Sequence, residues 1–128
     1  MKILIIDDSQ IMRNINKNVL IENKIPEDSF LEAADGKEAL QIAEQQKIDL
    51  FLVDWNMPHL SGVDFVKTIR NMDIYKDSPV IMVTSEAAKY MVMEAVKAGV
   101  SDYIIKPIQG RLFWDKISPY LTKIMTSN

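Results

Sequence analysis

Four short runs, residues 3–6, 50–53, 80–83 and 103–105, are apolar at nearly every position, and each stops at polar or charged residues. They are too short for buried helices and too continuous for strands with one wet face, so they predict strands covered on both sides. A weaker run at 29–32 has its polar residues closer together and predicts an edge strand. The segments between are of helical length and period. Ile11, Ile15 and Val19 share one face of the first, and Leu40 and Ala43 share one of the second. Phe113, Ile117, Tyr120, Leu121 and Ile124 line one side of the last. Asp35 with Glu38 and Ser61 with Asp64 have the offset of a capping box, Pro79 precedes a strand, and Gly99 closes a helix. Strict alternation of this kind predicts an α/β fold of five parallel strands and five helices, wound on both faces of the sheet.

At 128 residues and 48% apolar, the chain suits one core, and no linker, repeat or low-complexity stretch divides it. Residues 1–128 are therefore expected to be a single domain without an output domain, the tail after Ile124 being only Met-Thr-Ser-Asn. Fifteen Lys and Arg against eighteen Asp and Glu give −3, without the basic excess that draws in nucleic acid or an anionic membrane surface. The absence of cysteine excludes disulfides and thiolate chemistry, and a lone His59 excludes a multi-histidine metal site. Two aspartates cut the first apolar run short, so it is neither a signal-peptide core nor a membrane span, and a cytoplasmic location is expected. The eight methionines are expected mostly as core filling.

In an open parallel sheet, ligands bind beyond the carboxyl ends of the strands. Asp7 and Asp8 follow the first strand, Asp54 the third, Thr84 ends the fourth, and Lys106 follows the fifth. Taken singly, each has a structural explanation. Asp8 or Ser9 can cap a helix, Asp54 can be a solvated strand end, Thr84 and Ser85 can be strand-end and cap residues, and Lys106 before Pro107 can blunt a sheet edge. Together they place three carboxylates, a hydroxyl and an ammonium on one rim. Crowded carboxylates resist joint ionisation, so such a cluster must raise a pKa, recruit Lys106 or bind a cation. An all-oxygen donor set favours Mg²⁺ over Zn²⁺. A carboxylate beside Mg²⁺ can attack phosphorus and form an aspartyl phosphate.

Ile-Asp-Asp-Ser at 6–9, Val-Asp-Trp-Asn-Met-Pro at 53–58 with Gly62, Val-Thr-Ser-Glu at 83–86 and Tyr-Ile-Ile-Lys-Pro at 103–107 resemble the receiver domains of bacterial response regulators. The resemblance spans essentially the whole chain and is strongest to the single-domain chemotaxis members. It implies a flavodoxin-like sheet of order 2-1-3-4-5, which general fold knowledge already attaches to that family. It also implies Asp54 as phosphoacceptor for a sensor histidine kinase, with Mg²⁺ held by Asp8, Asp54, the Asn56 carbonyl and Asp7, the last directly or through water. Lys106 and Thr84 would bind phosphoryl oxygens, Tyr103 would swing inward, and the Lys106–Pro107 bond would be cis. Asn56 and Glu86 would tune dephosphorylation. Ser85 stands where a smaller residue is frequent, His59 is an exposed loop residue, and Trp55 walls the site.

The helix before Gly99 is apolar nearly all round. Ala88, Met91, Ala95 and Ala98 form a stripe suited to the sheet, while Lys89, Val92 and Val96 point elsewhere. These three, with Tyr103 and Lys116, are expected to form a partner surface. The expected partners are a sensor kinase, a flagellar motor switch protein and a phosphatase, with the chain itself a monomer. A relay intermediate or phosphate sink is the alternative within signalling. A haloacid-dehalogenase-like phosphatase lacks its second carboxylate, because Asn56 occupies that position, and a flavin carrier would set Asp7 and Asp8 against a phosphate.

Overall fold

A computed structural model describes residues 1–127. The strands are β1 (Ile3–Ile6), β2 (Phe30–Ala33), β3 (Leu50–Val53), β4 (Val80–Thr84) and β5 (Asp102–Ile105). The helices are α1 (Gln10–Glu22), α2 (Gly36–Gln45), α3 (Gly62–Arg70), α4 (Lys89–Ala98) and α5 (Gly110–Thr126). All strand pairs are parallel, in the order β2-β1-β3-β4-β5. This is the doubly wound, flavodoxin-like sheet that the alternation predicts. Two short 3₁₀ turns, Glu27–Ser29 and Asp73–Tyr75, add to the expected elements. Met125 and Thr126, read as tail in the sequence, continue α5, and Asn128 lies outside the described residues.

Alternate strand residues enter opposite layers, as the two-residue period requires. Leu4, Ile6, Phe51, Val53, Val80 and Met82 pack under α2, α3 and α4. Ile3, Ile5, Leu50, Leu52, Ile81 and Val83 pack under α1 and α5. Complete burial of each such aliphatic side chain contributes about 1.5–3 kcal/mol relative to exposure. Ser9, Asp35 and Ser61 cap α1, α2 and α3 by accepting from the N–H groups of Met12, Glu38 and Asp64. Gly99 ends α4 at φ 114°, a left-handed conformation that glycine adopts without cost.

Three expectations need correction. Ile11 is 73% exposed and Ile15 is half-exposed, whereas Asn16 and Leu20 make the buried face of α1. Leu20 and Val19 pack into the core while Arg13 and Lys17 reach Glu32 on β2, so the polar side of α1 faces the sheet edge. Among the methionines Met82 is fully buried and Met57 and Met72 pack against the core, while Met1, Met93 and Met125 are exposed, so core filling accounts for only part of them. Ala88 is the exposed N-cap residue of α4, leaving Ala95 and Ala98 as its buried contacts. Strand β2 runs one residue later than the pattern suggests, but it is an edge strand as expected.

Candidate functional site

Parallel register aligns the strand ends. Ile6 lies level with Val53, Val53 with Met82, and Thr84 with Ile105, so the residues just beyond meet on one rim. Carboxylate oxygens of Asp7, Asp8 and Asp54 lie within 4.8 Å of one another. Asp7 and Asp54 are buried and Asp8 is exposed. The Lys106 ammonium enters from β5, donating to Asp7 Oδ2 at 2.8 Å and to Asp54 Oδ2 at 3.3 Å. Asp7 Oδ1 accepts from the Ser9 N–H at 2.9 Å, and Asp54 Oδ1 accepts from the Trp55 N–H at 2.8 Å. The Lys106–Pro107 peptide bond is cis.

Burial pushes the Asp54 carboxyl above its ordinary value, and the negative charge of Asp7 adds to this against the pull of Thr84 and Lys106. Burial works against the Lys106 ammonium, but its hydrogen bond to Asp7 and the two carboxylate charges outweigh that and hold its pKa above the usual lysine value. The cluster thus uses both a raised pKa and the recruited lysine. Its donors are hard oxygens, and Asp8 offers a solvent-facing carboxylate, a set suited to a small divalent cation.

Loops on either side complete the rim. Thr84 is fully buried, and its Oγ1 accepts from the Glu86 N–H at 3.4 Å. Asn56 donates its side-chain N–H to Glu86 Oε1 at 2.6 Å, bridging the loops after β3 and β4. The Tyr103 hydroxyl donates to the Glu86 carbonyl, and burial, then the charges of Glu86 and Asp54, raise its pKa. Behind Asp54 the chain doubles back so closely that a Cβ on Gly62 would overlap the Asp54 carbonyl oxygen. Glycine is required there by close approach.

Residues 3–118 match the response regulator receiver domain family. The chain belongs to the response regulator receiver domain family. It is 40% identical over 122 residues to a chemotaxis protein CheY homolog of Campylobacter jejuni, covering 94% of this chain and 92% of that protein. Chemotaxis protein CheY1 of Helicobacter pylori is 38% identical over 94% of this chain and 97% of its own length. The solved chemotaxis response regulator CheY4 of Vibrio cholerae superposes with a TM-score of 0.84 at 29% identity, covering 93% of this chain and 97% of that one. The receiver is that of a CheY-like response regulator of two-component signalling, a signalling protein and not a classical enzyme.

The residues expected on the partner surface fall into two groups. Lys89 and Lys116 are exposed and Val96 is 59% exposed, whereas Tyr103 is buried and Val92 packs partly against the core. Lys116 donates to the Tyr103 carbonyl at 3.1 Å, which ties α5 to β5. The sequence reading missed Tyr90 and Met93, which continue the exposed line of Val96 at spacings of three, a repeat visible in the chain itself. Leu112 and Ile105 also stand out, lining a groove of about 420 Å³ between β5 and α5 together with Pro107 and Lys116. His59 sits in an exposed loop at φ 71°, its Nδ1 3.0 Å from Asp35 Oδ2. Trp55 packs against the core beside the site, and Trp114 against the α1–α5 layer.

Arg13 was missed too. It donates to the Asp7 carbonyl at 2.6 Å and to Glu32 Oε1 at 2.9 Å. The available signal was its place, one turn into α1, near the end where the helix dipole disfavours a cation.

Proposed function

We propose that the chain is a phosphorylation-operated switch with Asp54 as acceptor. The observation that carries this is the buried Asp54 carboxylate, flanked by Asp7, Asp8, Thr84 and Lys106 where five parallel strands end. In the transfer an Asp54 oxygen forms the new P–O bond as the P–N bond of a kinase phosphohistidine breaks. The departing imidazole keeps the bonding pair and takes up a proton. Asp8, Asp54 and the Asn56 carbonyl would hold Mg²⁺, with Asp7, already engaged by Lys106 and Ser9, contributing directly or through water. When bound, Mg²⁺ offsets the charge on the phosphoryl oxygens. Lys106 then pairs with one phosphoryl oxygen, Thr84 donates to another, and the inward Tyr103 senses the change through Glu86. The Asn56–Glu86 bridge spans the approach to Asp54 and tunes access of water.

The chemotaxis names of the relatives support a cytoplasmic regulator acting on a flagellar motor switch protein. Among the described residues no helix is long and apolar enough to cross a membrane. The exposed line of Tyr90, Met93 and Val96, bordered by Lys89 and Lys116, supports an output face that also serves a phosphatase. Family membership displaces the haloacid-dehalogenase and flavin-carrier readings.

Incubation with Mg²⁺ and a small acyl phosphate tests the assignment. Intact-mass measurement is expected to show one labile phosphoryl group per chain, lost in Asp54→Asn. Equal labelling of that variant would refute it.

A further inference from the structure

Arg13 takes no part in the chemistry above, yet its side chain is only 14% exposed and its guanidinium joins three elements. One nitrogen donates to the carbonyl of Asp7 at the end of β1 and another to Glu32 on β2, while the backbone belongs to α1. Lys17 occupies the other oxygen of Glu32 at 3.1 Å, so the carboxylate is held between two cations. The Asp7 carbonyl precedes the N-cap Ser9, where the helix supplies it no partner.

The consequence falls on Asp8. Every polar atom of Asp7 is fixed: its N–H by Ala33, its carbonyl by Arg13, and its carboxylate by Ser9 and Lys106. The exposed Asp8 carboxylate has no hydrogen-bond partner among the described residues, so where it reaches depends on its rotamer and on the peptide that places its Cα–Cβ bond. That peptide begins at the carbonyl Arg13 holds.

We propose that Arg13 is a positioning residue for the metal pocket: by gripping the Asp7 carbonyl it fixes the backbone from which the Asp8 carboxylate reaches the space beside Asp54, and Glu32 keeps the guanidinium in place. This rests on the reading of Asp7, Asp8 and Asp54 as the Mg²⁺ pocket. Arginine suits this position because separate nitrogens of one rigid, planar fork reach the carbonyl and Glu32, a fixed spacing that a lysine ammonium does not reproduce.

Charge and position act in opposite senses on a cation, which makes the proposal testable. Deleting the Arg13 charge removes a repulsion and by itself tightens Mg²⁺; losing the alignment of Asp8 weakens it. Titration calorimetry with Mg²⁺ alone, at fixed ionic strength, is expected to show Arg13→Gln binding roughly tenfold more weakly than wild type, as for outer-shell partners of metal ligands. Arg13→Lys, which keeps the charge, is expected to weaken binding as well and not to restore it. Both variants are expected to keep a cooperative thermal transition by circular dichroism, and if Arg13→Gln does not fold, the charge-conserving Arg13→Lys decides. Unchanged or tighter binding in Arg13→Gln, or wild-type affinity in Arg13→Lys, would overturn the role of Arg13 while leaving the pocket intact. Failure of the wild-type chain to bind Mg²⁺ would overturn the pocket itself.

Discussion

The two rims of the sheet bury polar groups under opposite rules. At the amino-terminal rim, the fully buried Tyr75 turns its hydroxyl to the Ala43 and Gln46 carbonyls and accepts from the Ile48 N–H. Beside it Arg70 donates to the carbonyls of Gly99, Tyr75 and Lys76. These contacts give donors to carbonyls that helix ends and turns leave over. At the carboxyl-terminal rim three carboxylates meet Lys106. One rim is complementary by itself, whereas the other sets three carboxylates against a single ammonium and a raised Asp54 carboxyl. The difference separates a rim whose polar groups satisfy one another from one that carries the perturbed charges typical of a candidate site.

Breaking the cohesive rim has the largest expected effect. Arg70→Ala strips a donor from three carbonyls and is expected to cost about 3 kcal/mol, read as a lower urea midpoint with unchanged Mg²⁺ affinity. At the other rim the sign reverses. Asp8→Asn removes one repelling charge and is expected to stabilise the metal-free chain by about 1 kcal/mol while abolishing Mg²⁺ binding. An equal or lower melting temperature in chelator would show that repulsion there is unimportant.

The smallest effect sharpens the contrast through pH. Burial raises the Asp54 carboxyl, so between the ordinary aspartate value and its higher folded value the native chain holds more proton than the unfolded one. Stability falls as pH rises across that window. At Glu32 burial also raises, but the hydrogen bonds and charges of Arg13 and Lys17 prevail and hold the carboxyl below 4.5. Its contribution is complete above 4.5 and is lost as pH falls through the lower folded value. In chelator, Asp54→Asn is expected to remove the falling limb and Glu32→Gln the rising one, each worth less than about 1 kcal/mol in urea midpoints.

The strands were legible because burial on both faces leaves an uninterrupted apolar run, and a run that ends at Asp7, Asp54 or Lys106 also announces the rim. Register then made neighbours of residues as far apart as Asp7 and Lys106. The facing of α1 was not legible. Ile11, Ile15 and Val19 keep a helical period, yet only Val19 packs against the core, while Arg13 and Lys17 on the same helix reach a glutamate on another strand. Arg13 stayed hidden because one of its acceptors is a backbone carbonyl, which carries no residue signature. The line of Tyr90, Met93 and Val96 was obscured by composition, since α4 is apolar on faces that pack and on faces that do not.

The most direct test of the account is a crystal structure of the chain with Mg²⁺ and beryllofluoride. It is expected to place the fluoride group on an Asp54 carboxylate oxygen, in contact with Thr84 and Lys106, and the cation against Asp8, Asp54 and the Asn56 carbonyl. Beryllofluoride on another carboxylate, or a cation bound away from Asp8 and Asp54, would contradict it.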